Sequence, residues 1–251
     1  MTDTLQGSNL PTVYVIVLHW HGLDFTRRCL ESLRTSDYPN LTVLLVDNGS
    51  DDGDRLKQAF TEITLLRLEE NSGYSGGNNA GIQYALDKHA NFIWLLNNDA
   101  IVFPETLAAL VNAAITDKLA GAIGGLMYEE KNTGNNTRPG KGRGIIDFTR
   151  AKSFLEYPLT NDIVACDWLS GSSLLLRATA IANTGALNDT YFLYFEDVEL
   201  CFRLRQNGWR CLLEPKSKIT HTGYASTSGE RLLWRHYYGA RNRLYFFHRN
   251  T

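Results

Sequence analysis

The first half of the sequence alternates short apolar runs, rich in β-branched residues, with longer amphipathic stretches. This alternation is typical of β-α-β units, in which helices join parallel strands and cover the sheet. It predicts an α/β fold with a mostly parallel central sheet. The predicted strands are Val13–Leu18, Leu41–Val46, Ile63–Leu68 and Phe92–Leu96. The predicted helices are Phe25–Thr35 with Asp24 as its cap, Asp52–Phe60, a helix that follows a glycine-rich turn at Asn71–Gly81 and ends near His89, and Pro104–Thr116.

The second half has a less regular pattern. A run of Gly, Asn, Lys and Arg from Glu129 to Gly144 indicates a loop. Because a hydrophobic core can grow to roughly 250 residues before a chain divides, the 251 residues are expected to form one domain. The remaining predicted elements are strands at Val164–Trp168, Ser173–Arg177 and Arg210–Leu213, a helix at Glu196–Gln206 that Gly208 closes, and a helical tail from Gly229.

Composition excludes several classes of protein. With 43% hydrophobic and 21% charged residues, the chain is neither disordered nor collagen-like. A net charge of −2 argues against a nucleic-acid partner, and four cysteines without C-x-x-C spacing fit reduced thiols. The apolar runs are far shorter than the ~20 residues that span a bilayer. Since the first residues also lack an export signal, a cytoplasmic location is expected.

Charge is nevertheless segregated along the chain. The segment from Arg231 to Thr251 contains five arginines and no acidic residue, so it carries +5. Since the whole chain carries −2, the other residues carry −7. Aromatic residues such as Trp234 and Tyr238 are interleaved with these arginines. Two interpretations stay open: the aromatic face of this helix packs on the domain, which we prefer, or the helix lies on an anionic membrane surface.

Polar clusters follow three of the apolar or aromatic runs. They are Val46–Asp52, Leu96–Ala100 and Tyr194–Glu199. Ligands bind at the carboxyl ends of the strands in open parallel sheets, so the first two clusters are expected at a binding edge. Asp47 and Asp99 are also good turn and cap residues, and each has a purely structural alternative.

Two carboxylates and one histidine are candidates for chemistry. Glu196 and Asp197 follow the aromatic run Tyr191–Phe195, which suits a sugar site and a general base with restricted access to water. Their alternative is to stabilise the first turn of a helix through its dipole. His221 alone is more often structural than a ligand. The glycine-rich segment Asn71–Gly81 lacks the spacing of classical dinucleotide or phosphate loops.

Taken in order, these motifs resemble glycosyltransferase family 2, and most closely its rhamnosyltransferase-like branch. The resemblance implies a GT-A type fold with a Rossmann-like sheet flanked by helices, a smaller acceptor-side region and a C-terminal helix. It divides the single domain into a nucleotide-sugar-binding half at 13–128, an acceptor and catalytic half at 129–228, and the tail at 229–251. The motifs are Val13–Gly22, Val46–Asp52, Asn71–Gly81, Leu95–Ala100, Trp168–Arg177, Tyr194–Arg203, Gly208–Trp209 and Pro215–Gly223.

The resemblance also implies roles for individual residues. Asp197 takes the position of the general base with Glu196 beside it, and Asp99 and His221 that of the ligands of Mn²⁺ or Mg²⁺. Asn97-Asn98-Asp99 stands where the family has its D-x-D-type motif. The nucleotide-sugar-binding residues would be Leu18, Trp20, Asp47, Gly76, Asn79 and Asn98.

The implied reaction is an inverting, metal-dependent transfer of a sugar, with rhamnose favoured, from a dTDP- or UDP-linked donor. The acceptor would be a hydroxyl of a glycan or lipid-linked saccharide, met by Glu129–Gly144 and Asp147–Pro158. Two alternatives remain: a noncatalytic sugar-nucleotide-binding module, and a glycoside hydrolase with a pair of carboxylates.

Overall fold

The computed structural model describes residues 10–129, 140–221 and 230–250. The strands of these parts are β1 (Val13–His19), β2 (Leu41–Asn48), β3 (Thr64–Leu68), β4 (Phe92–Asn97), β5 (Ala100–Val102), β6 (Ala120–Glu129), β7 (Arg143–Asp147), β8 (Lys152–Glu156), β9 (Val164–Ala165), β10 (Ser173–Arg177) and β11 (Arg210–His221). The helices are α1 (Leu23–Leu33), α2 (Gly53–Ala59), α3 (Gly73–Asp87), α4 (Thr106–Thr116), α5 (Ala178–Thr184), α6 (Glu196–Gln206) and α7 (Glu230–Asn250).

The first four strands form the parallel half of the main sheet, in the order β3-β2-β1-β4. Val15 and Val17 of β1 pack on one face of this sheet and Ile16 on the other, and all three are fully buried. Burial on both faces explains why these strands are continuous apolar runs. The predicted α/β fold is confirmed, and the strands predicted in β-α-β units pair in parallel.

The second half extends this sheet with mixed pairing. β10 is antiparallel to β4 and β6, and β11 runs parallel to β6 and antiparallel to β5 and β9. β11 is longer than the predicted Arg210–Leu213, because its pairing resumes after a register shift between Leu213 and Lys218. Pro215 lies within that irregularity, where the loss of a backbone donor is tolerated. The continuation carries His221 to the sheet edge.

The loop predicted at Glu129–Gly144 is wrong at its ends, since β6 continues through Glu129 and β7 begins at Arg143. Its centre, 130–139, lies outside the described residues. β7 and β8 pair as a separate antiparallel hairpin. The strand predicted at Val164–Trp168 shrinks to Val164–Ala165.

The glycine-rich segment is a helix and not the predicted turn, because α3 begins at Gly73. A Cβ at Gly81 would stand 2.7 Å from Cγ2 of Ile16, and one at Gly77 would stand 2.4 Å from Cδ1 of Leu18. The glycines therefore allow α3 to approach β1 more closely than side chains would permit.

The C-terminal helix packs against the domain through its aromatic face. Phe246 and Phe247 are buried, and both contact Phe148 and Phe195. Among the described residues, no helix is both long and apolar enough to cross a membrane.

Two helical glycines, Gly81 and Gly239, give a matched test of the close approach of α3 to β1. Gly81→Ala should lower the free energy of unfolding by ~1–3 kcal/mol, because the new methyl group overlaps Ile16. Gly239→Ala in α7 should raise it by ~0.5–1 kcal/mol, since nothing lies within 4 Å of its Cβ position. Urea unfolding measures both, and a stabilised Gly81→Ala variant would show that α3 does not lie this close to β1.

Candidate active site

A cleft of about 290 Å³ opens at the carboxyl ends of β1 and β4, beside the start of α6. We call it the central cleft. Seven of the ten candidate residues named from the sequence line it: Leu18, Trp20, Asn98, Asp99, Glu196, Asp197 and His221.

Two adjacent strands bring Asp99 and His221 together. Asp99 lies in the turn between β4 and β5, and His221 at the end of β11 pairs with Ala100 at the start of β5. As a result, Nε2 of His221 stands 2.9 Å from Oδ1 of Asp99, which is only 4% exposed. Nδ2 of Asn97 is 3.2 Å from the same Nε2. A pair of one carboxylate and one imidazole suits a divalent transition metal.

Asp99 and His221 supply only part of the ligand set that a divalent metal ion needs. Within the described ranges, no cluster of three or more His, Cys, Asp and Glu side chains could hold an ion. Asp99 and His221 would therefore leave most coordination positions to oxygens of a ligand, as for an ion held jointly with a diphosphate.

Glu196 and Asp197 stand in the first turn of α6. The backbone N–H groups of Gly171 and Val198 donate to the carboxylate of Asp197 at 2.9 and 2.8 Å. Glu196 is buried, and its Oε2 has no hydrogen-bond partner among the described residues. The two carboxyls thus have unequal surroundings, because more backbone donors that favour a charge reach Asp197 than reach Glu196.

Burial dominates the electrostatics of this pair. It raises the pKa of Glu196 well above the ordinary range, and the neighbouring charge of Asp197 raises it further. Burial also raises the pKa of Asp197, although the N–H groups of Gly171 and Val198 act in the opposite direction. At neutral pH, we expect Glu196 to hold its proton and Asp197 to carry the charge.

A strained aromatic turn leads into α6. Phe192, Tyr194 and Phe195 all have positive φ, a region that bulky side chains rarely adopt. Asn242 of α7 stabilises this strained turn, because its Nδ2 donates to the carbonyls of Tyr191, Leu193 and Tyr194 at 2.7–2.8 Å. Such a turn persists only where its surroundings hold it.

Asp47 does not line the central cleft. It is fully buried at the end of β2, where Oδ1 accepts hydrogen bonds from the backbone N–H and the hydroxyl of Ser50. Its Oδ2 lies 3.4 Å from Nε of Arg67. Arg67 and Ser50 line a separate surface depression next to β2. The Asp47 carboxylate is therefore set back behind the wall of that depression.

A hydrogen-bonded chain, fully buried at His19 and Thr26, joins this region to the cleft. Nδ2 of Asn98 donates to Oγ1 of Thr26, which contacts Nδ1 of His19 at 2.8 Å. Nε2 of His19 lies 2.7 Å from the carboxylate of Asp52, and Oγ of Ser50 lies 2.8 Å from it, so Asp47 and Asp52 share the one hydroxyl hydrogen of Ser50. Although burial acts to raise the pKa of Asp52, the hydrogen bonds from His19 and Ser50 outweigh it and the pKa is lowered.

Gly76 and Asn79 do not line the cleft either. Nδ2 of Asn79 donates to the carbonyl of Leu187 and to Asp189, and its Oδ1 accepts the N–H of Leu187. Through these hydrogen bonds, the side-chain amide of Asn79 joins α3 to the segment that precedes α6. A Cβ at Gly76 would stand 2.8 Å from the Ser72 side chain, so that glycine serves helix packing. Both residues thus have contacts outside the cleft, and their assignment to nucleotide-sugar binding stays a prediction.

Sequence reasoning missed residues whose roles depend on distant partners. Gly171 fixes Asp197 from the turn before β10, and Asn242 supports the aromatic turn from α7. Trp234 lines the cleft, and its ring stacks on that of Trp20 at 6.2 Å. The aromatic and basic character of the tail was a signal for Trp234, but no local pattern marks the other two.

Glu196→Gln tests the burial of this carboxyl. A raised folded-state pKa means that the native protein binds the proton more tightly than the unfolded chain, so stability falls as pH rises through that pKa. The variant lacks this penalty and should melt a few degrees higher than the wild type at alkaline pH, since each kcal/mol shifts Tm by roughly 2–4 °C in a domain of this size. The exposed Glu31→Gln is the control. A melting difference that is independent of pH would contradict the raised pKa of Glu196.

Comparison with known proteins adds independent information. Residues 14–175 match the family model described as glycosyl transferase family 2. The N-acetylglucosaminyl-diphospho-decaprenol L-rhamnosyltransferase of Mycobacterium tuberculosis is 30% identical over 90% of this chain and 78% of its own length. Rhamnosyltransferase WbbL of Escherichia coli is 25% identical over 83% of each chain.

A solved structure shows the same fold. GalNAc-T7 with UDP, GalNAc and Mn²⁺ superposes with a TM-score of 0.71 at 16% identity. The match covers 86% of this chain and 44% of the other, so this chain spans less than half of that neighbour. The fold is the GT-A type that the sequence motifs implied. Because the family model matches more than half of the sequence and a relative matches nearly all of it, the chain belongs to glycosyl transferase family 2 and is a glycosyltransferase.

Proposed function

We propose that this chain transfers L-rhamnose, with inversion, from a dTDP- or UDP-linked donor to a hydroxyl of a lipid-linked saccharide. The proposal rests chiefly on one observation. A single cleft holds the candidate base Asp197 together with the candidate cation ligands Asp99 and His221. The activity named for the M. tuberculosis relative supports the sugar and the class of acceptor.

Asp197 acts as the general base in this proposal. Two backbone N–H groups hold its carboxylate in place, and the cleft limits its hydration. The raised pKa of Asp197 makes it a stronger acceptor for the proton of an attacking hydroxyl than an exposed aspartate. Glu196, which we expect to be protonated, adds no second charge beside it.

Asp99 and His221 would hold the cation, with Mn²⁺ favoured over Mg²⁺ because imidazole is a ligand. When bound, the ion supplies neutralisation of the charge that develops on the leaving diphosphate. In this proposal Asn98 touches the ribose and Leu18 and Trp20 border the base; all three residues line the cleft.

Asp197→Asn should reduce kcat ~10²-fold or more and leave donor affinity nearly unchanged, because the base acts mainly in the transition state. In the wild type, turnover should fall on the acid side at a pH above the ordinary aspartate range of ~3.9, since the pKa of Asp197 is raised. The control is Asp87→Asn, the same change at an exposed carboxyl of α3. Equal losses of affinity and turnover, or an unchanged kcat, would contradict the assignment of the base, and a wild type that binds the donor without turning it over would favour a noncatalytic binding module.

The donor is tested by metal-dependent hydrolysis of a panel of nucleotide sugars. We expect dTDP-L-rhamnose to be turned over faster than UDP-hexoses and UDP-galactofuranose, and only with Mn²⁺ or Mg²⁺ present. A preference for another donor would overturn the choice of rhamnose. Glycan cleavage without any nucleotide would instead indicate a glycoside hydrolase.

Variants of the cation ligands complete that experiment. Asp99→Asn and His221→Gln should remove the Mn²⁺ dependence of nucleotide binding in calorimetry, while the exposed His248→Gln should keep it. Undiminished Mn²⁺ dependence in Asp99→Asn would exclude Asp99 as a ligand.

A further inference from the structure

The outer face of α7 carries an apolar stripe. Leu233, Tyr237 and Leu244 are 69%, 62% and 65% exposed, and their spacing of four and then seven residues places them on one face of a helix. Asn242 and Phe246, on the opposite face, are fully buried against the domain. The helix is therefore apolar both where it packs and on part of its outer surface.

Positive charge accompanies this stripe. Arg243 is exposed and lies about 100° around the helix from its chain neighbour Leu244, so it flanks the stripe, and the sequence from 231 to 250 contains no acidic residue. An exposed apolar stripe with basic residues beside it is typical of helices that lie in the interface of an anionic bilayer. The charge complementarity selects an anionic lipid surface as the occupant.

The position of the stripe connects it to the central cleft. Leu233 is adjacent in the chain to Trp234, whose ring stacks on Trp20 in the wall of the cleft. The 21 residues of α7 span ~30 Å, so a surface that contacts the whole stripe also reaches the rim of the cleft.

We propose that the outer face of α7, through Leu233, Tyr237 and Leu244 with Arg243 beside them, docks the enzyme on an anionic membrane with the central cleft beside the bilayer surface. A saccharide attached to a lipid could then enter past Trp234 without leaving the bilayer. This delivery step rests on the proposed function, whereas docking itself does not. The inner and outer faces of α7 thus accommodate both interpretations of the basic tail.

Vesicle flotation tests the docking with the full chain. The wild type should float with vesicles of phosphatidylcholine and phosphatidylglycerol, but not with phosphatidylcholine alone. Leu233→Gln/Tyr237→Gln/Leu244→Gln should lower the bound fraction more than tenfold, because three apolar contacts are lost. Arg243→Gln should weaken partitioning about fivefold, at about 1 kcal/mol for one arginine.

The control is Ile115→Gln/Leu119→Gln, which removes two exposed apolar side chains at the end of α4 and should leave flotation unchanged. Equal flotation with neutral vesicles, or undiminished flotation of the triple variant, would overturn the proposal. So would a dimer in analytical ultracentrifugation that the triple variant abolishes, because the stripe would then bind a second copy.

Donor hydrolysis in solution, measured on the same variants, separates the two proposals. The triple variant should keep it, since none of its changed residues lines the cleft. If the wild type floats but hydrolyses no nucleotide sugar, the proposed function fails and the docking stands. If the triple variant is unfolded, the arginine variant decides, because it leaves the packed face intact.

Discussion

This site depends on one constraint, which is that carboxyl side chains at one edge of the sheet are buried away from water. Asp99 and Glu196 are almost fully buried, and Asp197 lies beside them in the same cleft. Unpaired charges at low exposure are costly, so each must be neutralised or given donors. Asp99 faces His221, Asp197 accepts two backbone N–H groups, and we expect Glu196 to retain its proton. As a result, Asp197 is left as the charged carboxylate that can accept a proton.

The C-terminal helix contributes as much to this arrangement as the sheet. The side-chain amide of Asn242 donates hydrogen bonds to three carbonyls of the turn that leads into α6 beside the cleft. Trp234 from the same helix closes one side of the cleft against Trp20. A contact on the outer face of α7 is thus only one helix diameter from the turn that precedes α6 and the candidate base Asp197. Membrane docking and active-site geometry therefore share a structural element.

The fold was predictable from sequence wherever the pattern is local. Strands such as β1 are read from their own apolar residues, and the end of each strand locates the binding edge. Asn79 shows the limit, because its bonds to Leu187 and Asp189 depend on a segment more than a hundred residues away. The same holds for β11. Its predicted end was Leu213, before the irregularity that contains Pro215, but pairing with β6 continues the strand to His221. Residue types indicated the chemistry of the site, and tertiary partners decided which side chains reach it.

The amides at Asn97 and Asn98 show how this site balances charge. Both stand where the family has a D-x-D-type motif, and both act here through side-chain nitrogens, toward His221 and Thr26. A carboxylate at either position would add like charge beside Asp99 in a cleft where burial already raises the pKa of two other acids. The amides relieve that repulsion but give a cation fewer anionic ligands. Cation affinity should therefore come largely from the diphosphate of the donor, so that the ion and the nucleotide bind together and neither binds well alone.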